Sequence, residues 1–137
     1  MLKFYLSPGG LTCFEYSRLC EEVSALGWKL TFSWPVKSFS PEFKPTPALI
    51  EKSVAGIGGA ELFIAVLPGN SNTLVELGLA YVWCQEIALC TQNAAYFAPA
   101  HPSCIHQALL PGITHFIGKP SELPALLKHY YLYLVAN

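Results

Sequence analysis

The chain contains no aspartate, so its nine acidic side chains are all glutamates. Any carboxylate chemistry must fall to one of those glutamates or to the C-terminus. Positive charge is also scarce: Lys+Arg total 8, and Arg18 is the one arginine. With a formal net charge of -1 there is no basic footprint for a nucleic acid polymer and no acidic tail. Charged residues make up 12% of the chain, against ~25% in a typical soluble domain. Mean hydropathy is +0.38. So few charges cover a small monomer poorly. We therefore expect apolar surface to be buried between copies, in a homodimer or larger homo-oligomer, and not in a membrane.

Long hydrophobic runs are missing too. The longest are strand-sized, such as Glu61–Leu67, or are broken by Glu76, Lys128 or His129, so no transmembrane segment is expected. The opening MLKFYLSPGG is too short for a signal-peptide core and turns at once. The five cysteines are an odd number with no C-x-x-C spacing. They fit a reduced, cytoplasmic compartment and read as small buried hydrophobes. Repeats, linkers and low-complexity tracts are absent, and 137 residues suit one domain over 1–137. That length supports a core without disulfides or a structural metal. No cofactor is expected.

What is present alternates. Leu2–Leu6 is a short apolar run ended by Ser7-Pro8-Gly9-Gly10, a buried strand and a tight loop. Tyr16, Leu19, Cys20, Val23 and Leu26 recur at helical spacing, and Gly27 stops that helix. Trp28–Trp34 alternates and is β-rich, so it reads as a second strand. Val36–Pro47 has three prolines and reads as a loop; a helix follows over Ala48–Ile57. Glu61–Leu67 is the clearest buried strand, Pro68-Gly69-Asn70 a turn, Ser71–Trp83 a helix, and Glu86–Thr91 the next strand. Asn93–Gly112 is loop-like with a short helix near Ser103–Leu110, Ile113–Gly118 a last strand, and Ser121 to about Val135 a final helix. Apolar strands alternating with helices predict an α/β three-layer sandwich: a five-stranded parallel sheet covered on both faces, flavodoxin- or Rossmann-like. In such sheets ligands sit at the carboxyl ends of the strands, beside the switch in strand order. The loops after the first and third strands, Ser7–Thr12 and Pro68–Thr73, should meet there.

One residue stands out in that frame. Glu76 lies in an apolar run, SNTLVELGLAYVW, where a carboxylate costs several kcal/mol unless something holds it. Two readings fit. Thr73-Leu74-Val75-Glu76 matches a capping box, which needs no catalysis. Alternatively, a carboxylate at a helix N-terminus, kept ionised by the helix dipole, is placed to attack an electron-poor sugar carbon. Other constellations are weaker. His101, Cys104 and His106 have no standard metal-site spacing, so no metal is expected. Arg18 sits among Glu15, Glu21 and Glu22 and reads as a solvated ion-pair partner. Tyr130, Tyr131 and Tyr133 cover more than one helix face, which suggests burial between subunits.

The stretch AELFIAVLPGNSNTLVELGLAYVWCQEIALC, with FYLSPGG at the N-terminus, resembles the nucleoside 2-deoxyribosyltransferase family. Its pattern is Ala-Asp, an apolar strand, a Gly/Asn/Ser-rich loop, then Glu-Leu-Gly-x-Ala and another strand. The resemblance covers roughly the first two-thirds of the chain. Related 5′-deoxynucleotide N-hydrolases and TIR-like NAD hydrolases share the plan. It implies a nucleoside or nucleotide as the partner molecule, and N-glycosyl transfer or hydrolysis as the chemistry. Glu76 matches the family's nucleophile, which forms a glycosyl-enzyme ester, and Tyr5 the tyrosine that orients it. Ser7, Gly9, Gly10, Asn70, Ser71 and Asn72 fall in the substrate-binding loops. The chain departs from the family where Asn70 replaces an aspartate that contacts sugar hydroxyls. The position of a second family aspartate, which helps protonate the leaving base, falls near Ser53 in this chain, and Ala-Asp has become Ala60-Glu61. A nucleotide-binding module without turnover, or an interaction protein in which Glu76 is only a cap, are the other readings left open.

Overall fold

The computed structural model describes residues 2–83, 86–102 and 109–132. The described strands and α-helices alternate as far as β4: β1 (Lys3–Leu6), α1 (Cys13–Ser24), β2 (Lys29–Leu30), α2 (Pro47–Gly58), β3 (Leu62–Val66), α3 (Ser71–Trp83) and β4 (Glu86–Thr91), followed by β5 (Ile113–Ile117) and α4 (Leu123–Tyr130). All strand pairs are parallel, in the order β2-β1-β3-β4-β5. This is the expected three-layer α/β sandwich in its flavodoxin-like strand order.

Strand alternation divides the interior into two cores. Phe4, Leu6, Leu62, Ile64, Val66, Ala88 and Cys90 face the side covered by α1 and α4, where Tyr16, Leu19, Leu123 and Leu127 meet them. Tyr5, Phe63, Ala65, Leu67, Ile87 and Leu89 face α2 and α3, against Ile57, Leu77 and Ala80. Every residue of β3 is buried, as a central parallel strand covered on both faces requires. Cys20 and Cys90 lie in the first core, where burial pushes both thiols up to about 11 and keeps them inert.

Strand order reverses between β1 and β3. The chain leaves β1 for β2 on one side, then returns to lay β3 on the other. The loops after β1 and β3 therefore splay from adjacent strand ends and touch. A Cβ built on Gly9 would stand 1.9 Å from Thr73 Oγ1, and one on Gly10, at φ +78°, would stand 2.9 Å from Gly69 Cα. Glycine at 9 and 10 is thus demanded by loop-on-loop packing.

Several boundaries differ from expectation. The second strand, expected over Trp28–Trp34, pairs only at Lys29–Leu30. Pro35 cannot donate to a ladder, and the chain before it leaves the sheet edge after Thr31 N donates to Phe4 O at 2.9 Å. Helix α1 begins earlier than its apolar spacing indicates, because Thr12 and Glu15 form a capping box. The Val36–Pro47 loop contains a 3₁₀ turn, Val36–Phe39, and the final helix is preceded by another, Pro120–Glu122. The expected short helix near Ser103–Leu110 falls mostly outside the described residues, as do Cys104, His106 and Tyr133. Tyr131 is buried within the chain by the α1/α4 core, whereas Tyr130 is 47% exposed. Arg18 is indeed paired, with Glu22 at 2.7 Å.

Candidate active site

Helix α3 buries Thr73, Glu76, Leu77 and Ala80, a single stripe at helical spacing that faces the sheet. Glu76 thus occupies a position where an apolar side chain would be usual. It is 9% exposed. What holds it comes from β1 and the residue that follows it. Tyr5 and Ser7 are two residues apart on an extended chain, so their side chains leave the same face. The Tyr5 hydroxyl donates to Glu76 Oε2, and Ser7 Oγ donates to Oε1 at 2.8 Å. Both carboxyl oxygens are therefore held, and the carboxylate has a fixed orientation.

The capping reading of Glu76 is overturned by this geometry. The helix starts at Ser71, three residues before the start that a Thr73–Glu76 box needs, and the reciprocal pair belongs to Asn70 and Thr73. Thr73 N donates to Asn70 Oδ1 at 3.1 Å, and Asn70 N donates to Thr73 Oγ1 at 3.0 Å. Two overlapping signals at the same spacing competed, and the upstream one caps the helix. Glu76 consequently sits in the second turn, beyond the reach of most of the helix dipole. Burial dominates and raises the carboxyl group above its ordinary 4.5, opposed by the hydrogen bonds from Tyr5 and then Ser7. The expectation that the helix end alone keeps Glu76 ionised is replaced by two hydroxyl donors that partly offset desolvation.

Tyr5 is itself held. Trp34 Nε1–H donates to the Tyr5 oxygen at 2.9 Å, and Trp34 N donates to the Tyr16 hydroxyl at 3.0 Å. A phenol has one proton. With its oxygen accepting from Trp34, that proton is committed to Glu76. Burial, and then the Glu76 charge, push the Tyr5 hydroxyl far above the usual tyrosine range, so it stays protonated and donates.

Glu76 opens onto a cavity of ≈ 440 Å³ at the carboxyl edge of the sheet. The β1 loop contributes Pro8, Gly9, Gly10 and Leu11; the strap after β2 contributes Trp34, Ser38, Phe39, Phe43 and Pro45. Helix α2 supplies Ile50, Ser53, Val54 and Ile57, and the start of α3 supplies Asn70, Asn72, Val75 and Leu79 beside Glu76. Of the residues singled out in the sequence, Gly9, Gly10, Ser53, Asn70, Asn72 and Glu76 line this cavity. Tyr5 and Ser7 stand behind the carboxylate and hold it. Ser71, the first residue of α3, is exposed and lies outside the lining. Ser53, also buried, donates to Ile50 O at 2.7 Å. Among the described residues no cluster of three metal-ligating side chains is present, and no helix is long and apolar enough to cross a membrane.

Sequence reasoning missed Trp34 and the aromatic strap. A signal existed: a tryptophan whose N–H needs a partner, followed at once by a proline that ends pairing.

Comparison with known proteins adds the fold's company. No family model and no curated protein matches the chain. Among solved structures, a CMP N-glycosidase from Clostridium botulinum, BcmB, is similar in fold, with a TM-score of 0.63 and 17% identity over 93% of this chain and 98% of that one.

Proposed function

We propose that the chain is an N-glycosyl enzyme, a hydrolase or transferase acting on a nucleoside or nucleotide, with Glu76 as nucleophile. One observation carries this reading: a buried carboxylate at the ligand edge of the sheet, facing a nucleoside-sized cavity, with both oxygens fixed by hydroxyl donors from β1 and the loop that follows it. A carboxylate held in that way presents a lone pair to an anomeric carbon and stabilises its positive charge. Attack would expel the base and leave a glycosyl ester, which water or a second base would resolve with net retention. Tyr5 and Ser7 would orient the nucleophile and Trp34 would fix the Tyr5 proton. Asn70 and Asn72 would offer hydrogen bonds to sugar hydroxyls. The similarity in fold to a protein named as a nucleotide N-glycosidase supports the class of chemistry.

The test is product analysis by chromatography after incubation with nucleosides and nucleotides, with intact-mass detection of a glycosyl adduct on the protein. Free base that appears with the native chain and disappears with Glu76→Gln supports the reading; equal turnover by Glu76→Gln refutes it. A second reading, binding without turnover, is favoured by Ser53, which lines the cavity where a group protonating the base would be needed. Ligand binding with no free base at any concentration would establish it.

A further inference from the structure

The next step rests on the glycosidic reading of Glu76 and names the substrate that site would take. Every described residue lining the cavity is uncharged except Glu76, and three of them, Trp34, Phe39 and Phe43, are aromatic. We propose that the site takes nucleoside-sized N-glycosides that carry no phosphate and whose heteroaromatic base is already cationic before it leaves.

Four features converge on this. A phosphate dianion beside the Glu76 carboxylate would meet repulsion, with no lysine, arginine or histidine among the described lining to offset it. The volume of ≈ 440 Å³ is at the lower end of cavities that hold small ligands, roughly 300–1,000 Å³, which suits one nucleoside and crowds a dinucleotide. A neutral base leaves as an anion unless it is protonated. The Tyr5 proton is already given to Glu76, and Ser53 Oγ donates to the Ile50 carbonyl. A cationic base needs no proton. In addition, a single carboxylate with aromatic walls attracts a delocalised cation through charge and ring faces together.

The electrons balance without an acid. A Glu76 oxygen bonds to the anomeric carbon as the C–N bond breaks, and the bonding pair passes to the ring nitrogen and cancels its positive charge. Water then attacks the anomeric carbon, the carboxylate departs, and the proton lost by water goes to solvent.

The experiment measures kcat/KM of the native chain on nicotinamide riboside and 7-methylguanosine, on cytidine and guanosine, and on the 5′-monophosphates of all four. Cationic nucleosides are expected to exceed the neutral ones at least tenfold, and each 5′-phosphate to lower the value at least tenfold. Smaller ratios, or a preference for monophosphates, overturn the inference. Glu76→Gln, assayed on whichever compound is cleaved, separates the two levels. An inactive variant with a neutral or phosphorylated substrate preferred ends this inference and leaves the nucleophile standing. An active variant ends the nucleophile reading. No cleavage of any compound defeats both.

Discussion

At the scale of the residue, the unusual investment is Glu76 and the hydroxyls around it. Its carboxyl group titrates above 4.5 because burial outweighs the donors. A raised pKa in the fold means that the protonated form is favoured there. Its contribution to stability is present in full below the unfolded value and is lost as pH rises through the folded one. Glu76→Gln should therefore melt at the same temperature as the native chain near pH 4 and at a higher one at pH 8, as scanning calorimetry across that range will show. With Glu76 as the proposed nucleophile, N-glycoside cleavage should fall ~10³-fold or more in this variant, because an amide is no nucleophile. In the same proposed role, the raised titration of Glu76 should set an acid limb in kcat/KM above the usual glutamate range. Removing a donor to the carboxylate should move that limb further up. Tyr5→Phe should shift it most, and Trp34→Phe less and in the same direction, since Trp34 acts only through the Tyr5 oxygen. A Trp34→Phe limb that does not move would reduce the indole to a cavity wall. The glutamate was legible as an anomaly, a lone charge in an apolar helix. Its partners were legible only by resemblance for Tyr5, and Trp34 not at all. A hydrogen bond across 29 residues leaves no local spacing to read.

At the scale of the element, the start of α3 shows how a short pattern misleads. Asn70-x-x-Thr73 and Thr73-x-x-Glu76 both carry a cap residue and an acceptor three positions on, and only the fold chooses between them. Asn70→Ala should lose ~1 kcal/mol in denaturant titration, the usual cost of an N-cap; an Asn70→Ala chain as stable as the native one would instead return the cap to Thr73 and Glu76. Loop packing gives a harsher forecast. Gly9→Ala would drive a methyl group into Thr73 Oγ1, and overpacking of that kind costs about 1–3 kcal/mol. Activity should fall with it, because the helix that carries Glu76 is seated by that contact. Gly78 on α3 has nothing within 4 Å of an added Cβ, so Gly78→Ala should stabilise by ~0.5–1 kcal/mol through helix propensity. Strand and helix identities were legible because periodicity is local. The length of β2 was not, since an edge strand ends where its neighbour stops pairing.

At the scale of the whole molecule, the charge deficit read in the composition has a visible counterpart. Beyond the cavity rim, where Val75 is 63% exposed, α3 exposes Val82 at 76% and Trp83 at 46%. A run of large apolar side chains along one helix is more than the scattered exposure of a monomer. Sedimentation at micromolar concentration should therefore detect a dimer or larger assembly, and Val82→Glu should shift it toward monomer without loss of fold. A native chain that sediments as a monomer would sink this expectation.

The cavity is also unevenly distributed along the chain. Its described lining runs from Pro8 to Leu79, and the residues behind the carboxylate, Tyr5 and Ser7, lie earlier still. The described parts of β4, β5 and α4 contribute none of it. A saturation library should therefore divide near residue 80. Damaging substitutions over 86–132 should act through folding, so their activity should return at lower temperature or with a stabilising second change. Those over 5–79 should include a class that no rescue of stability restores. The first half of the gene would then be the place to recode specificity, and the second half the place to recode robustness, with little interference between the two.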